Sequence, residues 1–231
     1  MVQNLINLST NFKYNGLSNQ KIIINYNKVF KYIKLSNKTK TIISWLLSNN
    51  NYITNITIFN ITIFPDYISY DLIAGYTFTQ IGNTGMLELK SILSVLQSLQ
   101  KLKYKNKYIV HGDLIPVNVI FEQDLKIKKI IDWDNVKLGS KYQDSAYVFW
   151  LWINFGGNNK SFSEIKKEAN VFKNTLHYNQ KDLKYLKRWI YKVIKSEMKK
   201  HSYQIKSNDW LLKCYLNCIK WVKYEWKKLW I

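Results

Sequence analysis

The chain has 231 residues, 47% of them hydrophobic, which is enough apolar material for a sizeable core and excludes a disordered chain. Its formal charge of +20 raises nucleic acid or an anionic surface as a partner. The excess is nearly all lysine, with Arg188 the single arginine, spread at helical spacing between apolar positions. That is the pattern of a solvated face, so nucleic acid is set aside as the main partner. The abundance of Asn, Ile, Lys and Tyr reads as a bias in coding composition.

No apolar run approaches the roughly 20 residues of a membrane-spanning helix, because lysines interrupt every candidate. The start, Met-Val-Gln-Asn-Leu-Ile, lacks a basic stretch followed by an apolar one, so no secretory leader is expected. Cys214 and Cys218, four apart in a helical pattern, read as small core residues on one face, without a disulfide framework. A cytoplasmic location follows as the expectation.

In chain order, residues 1–9 suggest a short helix and 11–14 a first strand, followed by a turn at Asn15-Gly16-Leu17-Ser18-Asn19. Residues 21–25 and 28–35 form a predicted hairpin with Tyr26-Asn27 at its turn. Side chains alternate along a strand, so Val29, Lys31 and Ile33 share a face. A lysine on an inward face is costly unless it meets a phosphate or a carboxylate. Lys31 is therefore the candidate for nucleotide phosphates, with Lys34 as the alternative. Residues 39–47 have a helical pattern; 53–63 and 68–73 read as strands, the latter broken by Ala74-Gly75. Residues 86–103 give the clearest amphipathic helix, through Leu89, Ile92, Leu93, Leu96 and Leu99.

A strand over 108–110 then feeds His-Gly-Asp-Leu-Ile-Pro-Val-Asn (111–118), an apolar run Val-Ile-Phe, a charged turn, and Ile-Ile-Asp-Trp-Asp (130–134). That order is the signature of a kinase catalytic loop followed by a metal-binding loop. Phosphoryl transfer needs a carboxylate to orient the attacking hydroxyl and take its proton, and oxygen ligands for Mg²⁺ on the nucleotide phosphates. Asp113 suits the first task; Asn118 and Asp132 suit the second. Gly112 allows close backbone approach, Pro116 stiffens the loop, and His111 reads as a structural hydrogen-bond hub. After a polar turn over 135–141, Asp144 precedes an apolar helix over 145–155, where it can cap the helix or brace the catalytic loop's N–H groups. The last third is helical, near 162–175, 180–200 and 208–229, with a capping box at Ser161-Phe-Ser-Glu164. Seven of the 9 tryptophans lie after residue 149 and are expected mostly in the core, with some free to line a pocket for a cationic substrate.

Together these motifs resemble the aminoglycoside phosphotransferase and choline kinase family over most of residues 11–155. The resemblance implies an α+β, two-lobed protein-kinase-like fold: a small β-rich lobe (1–73) and a larger helical lobe (74–231). It implies ATP and Mg²⁺ as cofactors and transfer of the γ-phosphate to a small-molecule hydroxyl, choline- or ethanolamine-like in preference to an aminoglycoside. By resemblance Asp113 is the catalytic base, and Asn118, Asp132 and Asp134 face the metal. Gly16 and Ser18 belong to the phosphate-covering loop, and Lys31 is the nucleotide lysine. In such a fold the adenine bonds the backbone near Asp71 and Ile73. The chain departs from the pattern in three places. The helix that normally supplies a Glu for the lysine reads Asn-Lys-Thr-Lys-Thr-Ile-Ile-Ser-Trp and has no acid; Gln100 and Ile115 stand where His is common.

Overall fold

A computed structural model describes residues 12–15, 21–49, 61–78, 85–156 and 160–231. The expected helix over 1–9, the phosphate-covering loop with Gly16 and Ser18, and most of the expected strand over 53–63 lie outside the described residues.

The first lobe is an antiparallel sheet. β1 (Phe12–Asn15), β2 (Lys21–Asn25), β3 (Lys28–Tyr32), β4 (Thr62–Ile63) and β5 (Tyr67–Asp71) lie in the order β1-β2-β3-β5-β4. The hairpin is in the expected register, with Asn25 opposite Lys28, and Tyr26 accepts a positive φ at the turn. Lys31 pairs with Ile68 and Val29 with Tyr70, so all four share the face turned toward the second lobe. That face is apolar except for Lys31, which is buried beside Val29 and Ile68.

α1 (Asn37–Ser48) starts where Ser36 accepts from the Thr39 N–H and buries Ile42, Ile43 and Leu46. It packs against residues 133–135 and the strand that follows them. β6 (Tyr76–Thr77) leaves the first lobe and pairs with the catalytic hairpin. The amphipathic helix, α2 (Met86–Leu99), is shorter than its periodicity suggested. Its last turn gives way to β7 (Lys103–Tyr104), which pairs with β8 (Lys107–Val110). β9 (Val119–Phe121) and β10 (Ile127–Ile130) form the hairpin after the catalytic loop.

The expected polar turn over 135–141 contains a strand, β11 (Lys137–Gly139), paired with β8 through Leu138 and Ile109. The apolar helix begins earlier than expected, as α3 (Tyr142–Tyr147), and continues as a π-helical turn, Val148–Trp152. Asp144 thus sits inside the first turn of α3 and is not its cap. α4 (Phe162–Thr175) opens with the expected capping box, in which Ser161 accepts from Glu164 N–H and the Glu164 carboxylate accepts from Ser161 N–H. α5 (Gln180–Lys200), α6 (Ser202–Lys206) and α7 (Asp209–Tyr224) complete the lobe, with a 3₁₀ turn over Trp226–Trp230 replacing the end of the expected last helix.

One continuous core joins Leu89, Ile92, Leu93 and Leu96 of α2 to Phe149 and Trp152, Phe172 of α4, and Leu186 and Ile190 of α5. Trp150, Trp152 and Trp226 are buried in it, whereas Trp210 is 70% exposed. Cys218 is buried, Cys214 half-buried, and both are free thiols. No helix among the described residues is long and apolar enough to cross a membrane.

Candidate active site

β8 delivers the chain to His111, and two structures hold the loop that follows. The first is Asp144. Its carboxylate accepts from the N–H groups of His111 (2.8 Å) and Gly112 (2.9 Å), 33 and 32 residues back in sequence. Of its two expected roles, bracing the loop is the one the structure shows. Burial pushes the Asp144 carboxyl up from the ordinary range, opposed by His111 and by the two N–H donors.

The second is His111 itself, fully buried. Nε2 lies 3.0 Å from the Ile131 carbonyl and Nδ1 accepts from the Asp113 N–H at 3.3 Å. The pair of partners assigns a neutral ring with its proton on Nε2. Burial lowers its pKa, against the pull of Asp144. The ring stands edge-on to Trp133, whose indole donates to the Ile130 carbonyl. His111 thus ties the 111–118 loop to the chain entering Asp132, the hub role expected of it. Gly112 has φ +84°, and a Cβ there would meet the Asn135 carbonyl oxygen at 2.6 Å. Only glycine permits this approach between the two loops.

Pro116 opens a 3₁₀ turn, Pro116–Asn118, that folds Asn118 back onto Asp113. The Asn118 Nδ2 donates to the Asp113 carbonyl (2.9 Å) and carboxylate (3.2 Å), which leaves its Oδ1 as the atom available to a ligand. On the other side of the hairpin the Ile131 N–H donates to the Asn118 carbonyl at 2.9 Å, so Asp132 follows directly on the residue paired with Asn118. Asp132 adopts a left-handed backbone, φ 69° and ψ 51°, at the point where β10 turns into the 3₁₀ turn Trp133–Asn135. Burial pushes the Asp113 carboxyl up; Lys200 of α5 opposes this, while Glu197 of α5 and Asp132 add to it.

Lys31 closes the site from above. Its ammonium bonds both Asp132 and Asp134, the latter at 2.9 Å. Burial lowers its pKa, but the two carboxylates more than offset this and leave it raised. Burial with Asp132 alongside pushes Asp134 up to about 6, against Lys31. Tyr70, on the same sheet face, is pushed up to about 12 by burial and Asp132. Lys34, the alternative to Lys31, is exposed.

The structure therefore gathers Asp113, Asn118, Asp132, Asp134 and Lys31. Asp71 pairs with Lys28 at 2.6 Å on the exposed end of the sheet. Ile73 packs against the core, and the Leu72 N–H between them is spent on the Asn27 carbonyl. Two features escaped the sequence. Glu197 and Lys200 approach Asp113 from a helix that reads only as amphipathic. Gln100 donates to Ser145 Oγ and Tyr178 Oη, both at 2.9 Å, pinning the end of α2 to α3.

The sequence pattern described as the phosphotransferase enzyme family matches residues 84–160, the stretch that contains this loop, hairpin and brace. Among solved structures, the chain is similar to the choline kinase LicA from Streptococcus pneumoniae, with 14% identity, a TM-score of 0.59 and 93% of each chain covered. It is also similar to the aminoglycoside phosphotransferase APH(3'')-Id from Streptomyces rimosus ATCC10970 in complex with ADP and streptomycin. There the identity is 11% and the TM-score 0.52, covering 72% of this chain and 86% of that one. Among curated proteins, Protein TIC 214 of Cuscuta exaltata is 28% identical over 123 residues, 52% of this chain; the chain spans 7% of that protein's length. Residues 84–160 thus carry the phosphotransferase family pattern, in a chain with the two-lobed protein-kinase-like fold of aminoglycoside phosphotransferases and choline kinase.

Proposed function

We propose that this chain is an ATP- and Mg²⁺-dependent phosphotransferase acting on the hydroxyl group of a small molecule. The observation that carries the reading is the convergence of Asp113, Asn118 and Asp132 with a buried lysine from the other lobe. A carboxamide oxygen and carboxylates form a hard donor set that fits Mg²⁺. Lys31, the one buried lysine on the sheet face above them, fits nucleotide phosphates. Residues 71–73, at the end of β5, are the proposed main-chain contact for the base, and the loop with Gly16 and Ser18 the proposed phosphate cover. Asn118 and Asp132 would hold the magnesium ion, which would supply charge neutralisation of the nucleotide phosphates.

The remaining work falls to the chain's own groups. Asp113, its carboxyl raised by burial, orients the acceptor hydroxyl and takes its proton as the oxygen bonds to the γ-phosphorus and ADP departs. Asn118 holds Asp113 in place through Nδ2 and would offer Oδ1 to the metal. The His111–Asp144 brace fixes the loop that carries both.

A cavity of about 690 Å³ borders Ile115, Pro116 and Val117, three of the four residues between Asp113 and Asn118, and is the proposed acceptor space. None of the tryptophans left free to line such a pocket does so here: among the described residues Phe78 is its only aromatic. A choline- or ethanolamine-like acceptor retains the support of the likeness to a choline kinase; an aminoglycoside is the alternative. The free thiols of Cys214 and Cys218 suit a reducing cytoplasm. ATP consumption against a panel of choline, ethanolamine, aminoglycosides, sugars and amino acids tests the reading. Turnover with at least one is expected, reduced by about 10² or more in Asp113→Ala. No turnover with any of them, or an unchanged rate in the variant, contradicts it.

A further inference from the structure

Lys31 needs a fixed partner. A buried ammonium without a carboxylate is strongly unfavourable, and a mobile one positions no phosphate. The helix that follows β3, α1, reads Asn-Lys-Thr-Lys-Thr-Ile-Ile-Ser-Trp-Leu-Leu-Ser and offers no acid; it buries Ile42, Ile43 and Leu46. α1 instead packs on the 3₁₀ turn Trp133–Asn135.

The two acids that meet Lys31 are not equivalent. The Asp132 side chain is 29% exposed, at the left-handed corner beside Asn118. The Asp134 side chain is 5% exposed, and both its oxygens are taken within the protein. Oδ2 accepts from Lys31 at 2.9 Å and Oδ1 from the Asn135 amide at 3.1 Å. Asp132 thus keeps part of its carboxylate exposed, whereas Asp134 is spent on the lysine and on the turn against which α1 packs.

We infer that Asp134 is a positioning residue for Lys31, performing from the metal-loop side the task that the acid-free α1 does not. The metal duty then falls to Asp132 with Asn118. This rests on the phosphotransferase reading and narrows it: on nucleotide binding Lys31 exchanges Asp132 for phosphate oxygens and keeps Asp134.

A double-mutant cycle on the full chain tests the assignment by binding alone. ADP is titrated calorimetrically in EDTA into wild type, Lys31→Met, Asp134→Asn and the double variant. Each single change is expected to weaken ADP about tenfold, and the double variant to be no weaker than either single. Mn²⁺ is then titrated in the presence of saturating ADP. Asp134→Asn is expected to leave Mn²⁺ affinity within about twofold of wild type, whereas Asp132→Asn abolishes binding. Should Asp134→Asn fail to fold, Asp134→Glu, which keeps the charge and shifts it by one methylene, takes its place in the cycle. Additive losses, or a loss of Mn²⁺ in the Asp134 variant comparable to that in Asp132→Asn, overturn the inference and leave the phosphotransferase reading standing. Absence of ADP binding to the wild type removes both.

Discussion

His111 shows how one side chain sets the pH range in which the site holds together. Neutral, it donates through Nε2 to Ile131 and accepts through Nδ1 from Asp113. Protonation of Nδ1 puts two donors face to face, and burial makes the cation costlier still. Its folded pKa therefore lies below the unfolded value of about 6.5. Unfolding takes up a proton as the pH falls through that value, so the stability His111 provides is present above it and lost below it. Asp144, its carboxyl raised by burial, acts in the opposite sense at more acidic pH, as it gains its proton in the folded state. Urea unfolding should show stability falling from about pH 6.5 to 5 more steeply in the wild type than in His111→Gln, which keeps a donor and an acceptor but does not titrate. Identical slopes contradict the assignment. At this scale much was readable in advance. Alternation along β3 turns Lys31 inward, and the spacing from Asp113 to Asn118 specifies the loop. What alternation cannot name is the partner: Lys31 meets Asp134 across 103 positions of chain, and no local pattern carries that information.

At the scale of elements, the same distinction between local and distant causes separates what the sequence disclosed from what it did not. The hairpin of β2 and β3 and the starts of α4 and α5 are written locally, in a period of two, in Ser161 with Glu164, and in Asn179 with Asp182. β11 is three residues long and has no period to detect; it exists because Leu138 lies opposite Ile109 in β8. The early start of α3 has a related origin. Asp144 is a poor interior helix residue by propensity, which suggested a cap, but its carboxylate is drawn into the helix by the N–H groups of His111 and Gly112. The π-helical turn that continues α3 carries Trp152, whose indole donates to the Leu114 carbonyl at 3.1 Å, so this stretch of helix supports the loop at its start and at its middle. Asp144→Ala leaves two buried N–H donors without an acceptor and should cost about 3 kcal/mol in denaturant unfolding. A loss below about 0.5 kcal/mol, within the range of ordinary surface changes, contradicts the brace.

Over the whole molecule, two lobes with separate jobs meet at a lysine and a pair of acids. The sheet supplies Lys31, Tyr70 and the end of β5; the helical lobe supplies the loop, the hairpin and the brace. Between them Ile61, Ile68, Tyr70, Asp132 and Trp133 line a cavity of about 10 Å³, too small for a nucleotide base. Lysines such as Lys38, Lys101, Lys181 and Lys213, which contribute to the formal charge of +20, are exposed. The account stands on oxygen ligands from Asn118 and Asp132 completing a nucleotide site that Lys31 begins. Calorimetric titration of ATP with and without Mg²⁺, into the wild type and Asp132→Asn, tests that most directly. The account predicts saturable ATP binding that Mg²⁺ tightens in the wild type and leaves unchanged in the variant. Magnesium tightening ATP equally in both proteins, or no ATP binding to the wild type, would contradict it.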